Sequence, residues 1–360
     1  MVGPSSPLVL AGVFLVGVVL VIWCVEVFIE AVAQSAVSLG ISGFFLAVVL
    51  AGVDLENAVL GVTAAVVDLP GLALGTVFGE SLFVLTVAVG LAGLLVPFRM
   101  DVPRAYLLLL VLAPLPALAL SVSGTIDLLE GVALVVLFVP LLGFIFWYER
   151  RTETTYLLSD EVQEVVDLEA EPGADPTAEA TDGGEGAGRP AREGGPDLDL
   201  DLDLDEFVPS LEGRSGYVTL GVAVLAAVGM TIGSGLTVYS AEGIFVAFGI
   251  SGLAFGATVL SFIASLEELA LTVEPVRQGR PELAVGNVVG STVFYMTANV
   301  GLIALLHPVA TGGDVLTLHW PFFVGSLLVV SILLERGRVT RIGGVVLLGW
   351  YIAYWVANYL

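Results

Sequence analysis

Lysine is absent from the 360 residues, cysteine occurs once and histidine twice. A single cysteine closes no internal disulfide, and Cys24 stands among apolar neighbours, so it reads as a small buried hydrophobe rather than a redox centre. His307 and His319 fall in or beside one loop and read as solvated side chains, which leaves no imidazole or thiolate set for a soft metal. Positive charge is scarce too. Twelve basic residues, all arginine, face 36 acidic ones, and a net charge of −24 excludes nucleic acid or an anionic lipid surface as an electrostatic partner. Apolar residues are what the chain has in excess: 57% hydrophobic against 13% charged is too oily for an ordinary soluble domain. The expected setting is the lipid bilayer, and the expected class is an all-α integral membrane protein.

The acids are unevenly spread, with 19 of the 36 between Glu153 and Glu212. That stretch is rich in Pro, Gly and Ala and then runs in Asp-Leu pairs from Asp197 to Asp205. Its apolar mass is too small to offset the entropy of ordering, so it reads as a disordered loop. A solvated charge run in a chain adapted to high salt, as in a halophile, is favoured over a calcium-sensing or partner-binding strip.

A bilayer core about 30 Å thick needs about 20 apolar residues per helix. The remainder of the chain breaks into ten such lengths: Leu8 to Ala31, Val37 to Val67, Leu72 to Pro97, Ala105 to Ser121, Leu128 to Tyr148, Tyr217 to Tyr239, Ile244 to Val273, Leu283 to Leu306, Leu318 to Leu334 and Ile342 to Tyr359. The first span is too long, and too poor in basic residues, for a secretory signal and is expected to stay. Arginine placement tests the count, because cytoplasmic loops collect positive charge. Arg99 and Arg104 follow the third span, and Arg150, Arg151, Arg189, Arg192 and Arg214 lie between the fifth and sixth. Arg277 and Arg280 follow the seventh, and Arg336, Arg338 and Arg341 the ninth. Every arginine thus follows an odd-numbered span. The reading places these loops, the acidic one included, in the cytoplasm of a multi-pass cell-membrane protein with both termini outside.

A repeat runs across the acidic loop. Gly40-Ile41-Ser42-Gly43 recurs as Gly249-Ile250-Ser251-Gly252, and Gly75-Thr76-Val77-Phe78-Gly79-Glu80 recurs as Gly286-Asn287-Val288-Val289-Gly290-Ser291. Five spans per copy is an odd number, so the second copy enters the membrane upside down. Residues 1–148 form the first five-helix repeat, 149–214 the acidic loop and 215–360 the second repeat. Inverted repeats of this kind build substrate sites near the midplane, where the copies meet.

Ionisable groups in spanning helices cost about 2.5 to 3.5 kcal/mol or more at the centre and are functional candidates by default. The second span holds Asp54, Glu56 and Asn57, and the seventh holds Glu267 and Glu268. On the seventh span Ser261, Ser265 and Glu268 stand at i, i+4 and i+7, so one helix face presents two hydroxyls and a carboxylate, an oxygen-lined stripe. The third and eighth spans answer with Thr76, Glu80 and Ser81 and with Asn287, Ser291 and Thr292, while their paired glycines permit close helix approach. Carboxylate, amide and hydroxyl oxygens from four helices suit a hard cation such as Ca2+. Up to five acids so near one another cannot all stay ionised without a cation between them, so coupling to H+ enters as an alternative. Tyr295 and Asn299 read as hydrogen-bonding groups between helices.

On these residues the chain resembles the calcium/cation antiporter superfamily, the sodium/calcium exchanger group. The most specific stretch is Gly249 to Leu302, where Ser265-Leu266-Glu267-Glu268 stands for the family's Ser-Leu-Pro-Glu and Gly286-Asn287-Val288-Val289-Gly290-Ser291 follows. The first half resembles the other family repeat over Gly40 to Gly90. The resemblance implies ten transmembrane helices as two inverted repeats, a midplane cation site, and exchange of Ca2+ against Na+ by alternating access. It puts Glu268 at the calcium carboxylate, Ser265 at a hydroxyl or carbonyl ligand and Ser291 at a sodium ligand. Departures are several: Asn57 stands at the first-repeat glutamate counted back from Gly75, Glu56 and Glu267 replace prolines, Glu80 replaces a serine, and Ser81 and Thr292 replace an asparagine or aspartate. Counted from Gly40 the first repeat is two residues short, so the register of Asp54, Glu56 and Asn57 stays open. The expected ion-binding set is Glu268, Glu80, Glu56, Asn57, Asp54, Glu267, Ser265, Asn287, Ser291, Ser81 and Thr292, with Glu268, Glu80 and Glu56 as the metal carboxylates. Transported Ca2+ and Na+ are the only ligands expected, with no resident cofactor and no enzymatic activity. Ca2+/H+ or other cation/H+ exchange, and a transport-inactive calcium-sensing relative, stand as alternatives.

Overall fold

The structure, a computed structural model, describes residues 6–38, 54–152, 211 and 214–360. Gly40 to Gly43, Gly52 and Val53, and residues 153–210 and 212–213 of the acidic segment lie outside the described residues. The described part is helical almost throughout. In chain order the helices are α1 (Pro7–Ser38), α2 (Leu55–Val66), α3 (Pro70–Leu95), α4 (Arg104–Ser121, with a turn at Ala113 and Pro114), α5 (Leu128–Thr152), α6 (Gly216–Phe248), α7 (Gly252–Ala264), α8 (Leu266–Arg277), α9 (Pro281–Leu306), α10 (Val315–Glu335) and α11 (Arg341–Ala357). Seven are long and apolar enough to cross a membrane, and α7 with α8, bent by 48° at a short break, makes an eighth. Helices α2 and α11 are apolar but shorter. The protein is therefore a multi-pass membrane protein.

Proline and glycine punctuate these helices as their chemistry requires. Pro70 and Pro281 open α3 and α9, where a missing N–H costs nothing. Gly249 ends α6 at φ +67°, a left-handed cap that a side chain would strain. The sequence reading stopped the sixth span at Tyr239 and began the seventh at Ile244. That division is corrected, because α6 runs unbroken to Phe248, with the Ser240 hydroxyl turned back onto its own helix at the Leu236 carbonyl.

Two short ribbons mark the two ends of the bundle. At one end β1 (Phe98–Arg99) pairs with β4 (Arg338–Val339), setting Arg99 opposite Arg338. At the other, β2 (Thr125–Ile126) pairs with β3 (Val309–Ala310), and His307 lies 3.6 Å from Asp68 nearby. Helices α1 and α6 pack antiparallel along their lengths, with Ser35 and Thr219 bonded at 2.7 Å, and Thr63 of α2 meets Ser234 of α6 at 2.8 Å. Helices α3 and α9 are the most enclosed, with 89% and 83% of their spanning windows buried. They form the centre against which the others are laid.

The two central helices are also built alike. Each has 14 α-helical residues, a five-residue π-helical turn and seven more α-helical residues. Helices α2 and α8 both have 12 residues. Leu55 to Leu266, Pro70 to Pro281 and Phe98 to Val309 are all steps of 211 positions. By this step Asn57 corresponds to Glu268, Asp54 to Ser265, Glu80 to Ser291 and Ser81 to Thr292.

Candidate ion site

Helix starts position the acids. Asp54 caps α2, its Oδ1 accepting from the Asn57 backbone N–H at 3.0 Å, which satisfies one of the donors that every helix start leaves unpaired. Ser265 occupies the corresponding point at the break between α7 and α8. The break also revises the expected oxygen stripe: Ser261 belongs to α7 and Glu268 to α8, so no single helix face carries both. Glu268 lies in the first turn of α8, and the change of direction aims it at α9.

There Glu268 meets three donor groups, two of them directed at it and the third shared with Asp54. Asn287 Nδ2 donates to Oε2 at 2.5 Å, the Ser291 hydroxyl to Oε1 at 3.1 Å, and the Tyr295 Oη lies 3.3 Å from the same oxygen. These donors stand at i, i+4 and i+8 on α9, one stripe of one helix face. Tyr295 then reaches across to the first half: its hydroxyl donates to Asp54 Oδ2 at 2.6 Å, while Asn57 Nδ2 donates to that oxygen and to Tyr295 Oη at 3.1 Å. One phenol thus joins carboxylates more than 200 residues apart in sequence.

Glu80 lies on α3 within Coulombic reach of Asp54 and Glu268. It is 0% exposed, and neither oxygen has a hydrogen-bond partner among the described residues. Glu56, 3% exposed, lies within reach of Asp54, Glu80, Glu267 and Glu268, and its Oε1 is likewise unpartnered there. So are Asn57 Oδ1 and Ser265 Oγ. A buried polar atom without a partner costs about 1 to 3 kcal/mol, so four residues with spare oxygens in one region require an explanation.

The other expected residues part company. Glu267 is exposed beside its buried neighbour Glu268. Ser81 and Thr292 are fully buried, but their hydroxyls donate to the Val77 and Val288 carbonyls of their own helices, each at 2.7 Å. Among the described residues no three His, Cys, Asp or Glu side chains form a cage for a metal ion, so Glu268, Glu80 and Glu56 are near one another without making one. His319 is corrected: it ends the π-helical first turn of α10 and is buried, its Nδ1 2.7 Å from Tyr354 Oη and its ring stacked on Phe78. His307 is exposed, as expected.

The glycines of the repeated motif set the spacing of the site. A Cβ at Gly75 would run into the Leu253 carbonyl, and one at Gly79 into Ser261 Oγ and the Ala257 carbonyl. Contact this close between α3 and α7 is the small-residue packing of membrane helices, and it brings Glu80 up to the broken helix.

A family model described as sodium/calcium exchanger protein matches residues 9–147 and 218–360. The chain belongs to the sodium/calcium exchanger family. The two matched stretches flank the acidic segment, one on each side. Among similar proteins, the inner membrane protein YrbG of Escherichia coli (strain K12) is 26% identical over 91% of this chain and 87% of its own. The putative antiporter CaxA of Alkalimonas amylolytica is 26% identical over 94% and 95%. The sodium/calcium exchanger MaX1 of Methanosarcina acetivorans is 34% identical, over 32% of this chain and 34% of its own. In fold, this exchanger-family chain is similar to a solved structure of the sodium-calcium exchanger NCX_Mj soaked with 2.5 mM Na+ and 1 mM Sr2+, at a TM-score of 0.52 and 18% identity over 98% of both chains. It is thus a divergent member of a family of cation antiporters.

Proposed function

We propose that this exchanger-family protein is a secondary antiporter that exchanges Ca2+ for Na+ by alternating access, with Glu268 as its principal anionic ligand. The observation that carries the reading is the Asp54–Tyr295–Glu268 bridge between two helix starts, with the spare oxygens of Glu80, Glu56, Asn57 and Ser265 about it. A hard cation arriving there takes oxygen ligands and offsets like charge that protein donors only partly offset. Ser291 and Asn287 supply neutral oxygens once their hydrogens turn from Glu268. Ca2+ and Na+ are cargo, and the reaction needs no cofactor and no enzymatic step.

The architecture proposed with it is ten spans in two inverted five-helix repeats, residues 1–148 and 215–360, around a segment at 149–214. Matched lengths in α2 with α8 and α3 with α9 support it, as does the pairing of β1 with β4 and β2 with β3, which a two-fold operation exchanges. The end bearing Arg99 and Arg338 is assigned to the cytoplasm by its positive charge. The acidic segment then leaves from that side, and both termini lie outside. Helices α1 and α6, packed mainly on each other, are the proposed moving pair.

A second reading, Ca2+/H+ or other cation/H+ exchange, is favoured by one observation: a carboxyl such as Glu80, enclosed without a donor, is equally a seat for a proton. Uptake of 45Ca2+ into proteoliposomes under an imposed Na+ gradient tests the first reading, with a pH gradient in sodium-free medium for the second. Gradient-driven flux that Glu268→Gln abolishes is expected. No flux under either gradient, or Glu268→Gln equal to wild type, overturns the antiporter assignment.

A further inference from the structure

Asn299 is used by nothing described so far. It closes the π-helical turn of α9, is 0% exposed, and neither Nδ2 nor Oδ1 has a hydrogen-bond partner among the described residues. A primary amide carries two donors and an acceptor with two lone pairs. Enclosing all of them unpaired in a membrane helix is among the costliest arrangements available to a neutral side chain.

Its position gives the cost a use. Asn299 is four residues beyond Tyr295, on the same face of α9 and one turn nearer the end of the bundle that holds Asp68 and His307. On α2, Gly61 is four residues beyond Asn57 in the same direction, and a Cβ added to Gly61 would lie 3.1 Å from Asn299 Oδ1. Asn57 and Tyr295 are themselves bonded at 3.1 Å. The two helices therefore carry parallel i, i+4 rows: Asn57 beside Tyr295 in one layer and Gly61 beside Asn299 in the next. The bare backbone at Gly61 lets α2 come close to the amide, where an added carbon would be crowded by Asn299 Oδ1 and by Ile303 Cδ1 at 3.4 Å.

We propose that Asn299, an unpartnered amide beside the bare backbone of Gly61, is a neutral way-station for a partly hydrated hard cation that passes between the Asp68–His307 end and the carboxylates when α2 and α9 part. Oδ1 ligates the cation or accepts from one of its waters, and Nδ2 donates to a second water. A neutral amide suits a station that must release its ion inward, where Asp54 and Glu268 hold the charge. The proposal rests on the antiporter reading and adds a ligand on one side of the site only.

The test is 45Ca2+ flux in right-side-out and everted membrane vesicles, with Na+ and Ca2+ varied separately on each face. Asn299→Leu, close in size but without the amide, is expected to raise the half-saturating concentration of the ion offered at the Asp68–His307 face by about 3- to 10-fold, one lost hydrogen bond or ligand's worth, and to leave the opposite face within about twofold. Gly61→Ala should shift the same face in the same direction. Asn299→Gln, which keeps the amide, should return part of the loss. Melting of the detergent-solubilised variants separates packing from binding: Asn299→Leu is expected to melt at or above the wild-type temperature, since it removes unpaired polar atoms. Equal shifts at both faces, or no shift in a variant that still transports, overturn the way-station and leave the antiporter standing. A wild type without gradient-driven flux overturns both.

Discussion

Glu268 and Glu80 are both enclosed carboxyls near Asp54, yet their hydrogen bonding differs completely. Glu268, on the second-half helix α8, accepts from an amide and a hydroxyl on α9 and lies beside the phenol that α9 shares between it and Asp54. Glu80, on the first-half helix α3, accepts from no described residue. The 211-residue step makes the contrast specific. Where the second half has Glu268 and Ser291, the first has Asn57 and Glu80, and where the second has Ser265 and Tyr295, the first has Asp54 and Val84. Among these positions the second half thus has one acid, Glu268, and the first has two, Asp54 at the start of α2 and Glu80 on α3; Asn57 and Tyr295 serve Asp54, α9 serves Glu268, and no described residue of either half serves Glu80. Under the antiporter proposal, protein donors meet one carboxyl and the entering cation or proton meets the other.

The largest effects should come from neutralising each acid in turn. Glu268→Gln turns an amide NH2 toward groups that donate, and breaking a buried charged network typically costs about 3 to 5 kcal/mol. Exchange should fall by about 100-fold or more, and the ion-free protein should melt earlier. Glu80→Gln should also impair exchange but raise the melting temperature of the ion-free protein, because an unpartnered charge is gone. Melting in detergent with and without Ca2+ reads both signs. Shifts in the same direction for the two variants would break the contrast.

Moving the acid back sharpens it. Glu80→Ser alone should lower flux by about tenfold or more, as expected when a buried charged ligand is removed. Adding Asn57→Glu in the same chain places a carboxylate at the position that corresponds to Glu268. If the acid has been relocated rather than lost, the double variant should recover to within about threefold of wild type, a coupling that independent sites would not show. A double variant no better than Glu80→Ser would mean that Glu80 does something that a carboxylate on α2 cannot.

Much of this contrast can be read in the sequence, and the reasons for the rest are physical. Apolar runs of membrane length mark the long helices among the described residues, because the bilayer imposes length on any chain that crosses it. Glu268, Asn287 and Ser291 are legible as a set through their spacing. The register of Asn57 against Glu268, counted back from Gly75, agrees with the 211-residue step from Leu55 to Leu266. The break at Ser265 is not legible, since Ile263-Ala264-Ser265-Leu266 contains neither proline nor glycine. The π-helical turns leave no residue signature either, although they set the phase of Tyr295 and Asn299 on α9. Tyr295 shows in the sequence as a hydrogen-bonding group between helices, but its partner Asp54 lies 241 residues away and is set by packing alone. His319 misleads for the same reason, because the Tyr354 hydroxyl that satisfies it comes from another helix.

Tyr295→Phe removes the hydroxyl that joins the halves and should have an intermediate effect. Asp54 loses one of its donors, so the ion-free protein should lose about 1 to 2 kcal/mol of stability. Saturating Ca2+ should shrink that difference, since a cation replaces the hydroxyl as partner of both carboxylates and binding stabilises by mass action. A deficit unchanged by Ca2+ would make Tyr295 a packing residue that the ion never reaches.

The smallest effects should come from Ser81 and Thr292, which correspond by the 211-residue step and are treated identically by their helices. Each hydroxyl donates to the carbonyl four residues back at 2.7 Å. Such a bond leaves the hydroxyl little to offer an ion and contributes little to the helix, which already satisfies that carbonyl. Ser81→Ala and Thr292→Val should therefore keep flux and ion affinity within about twofold of wild type, with stability changed by less than about 1 kcal/mol. The pair is a control for the contrast between the halves, because any mechanism that needed exact symmetry would lose equally from both. A tenfold loss in one and not the other would bring that residue back among the ion ligands and would mean that its hydroxyl turns away from the helix when the cation is bound.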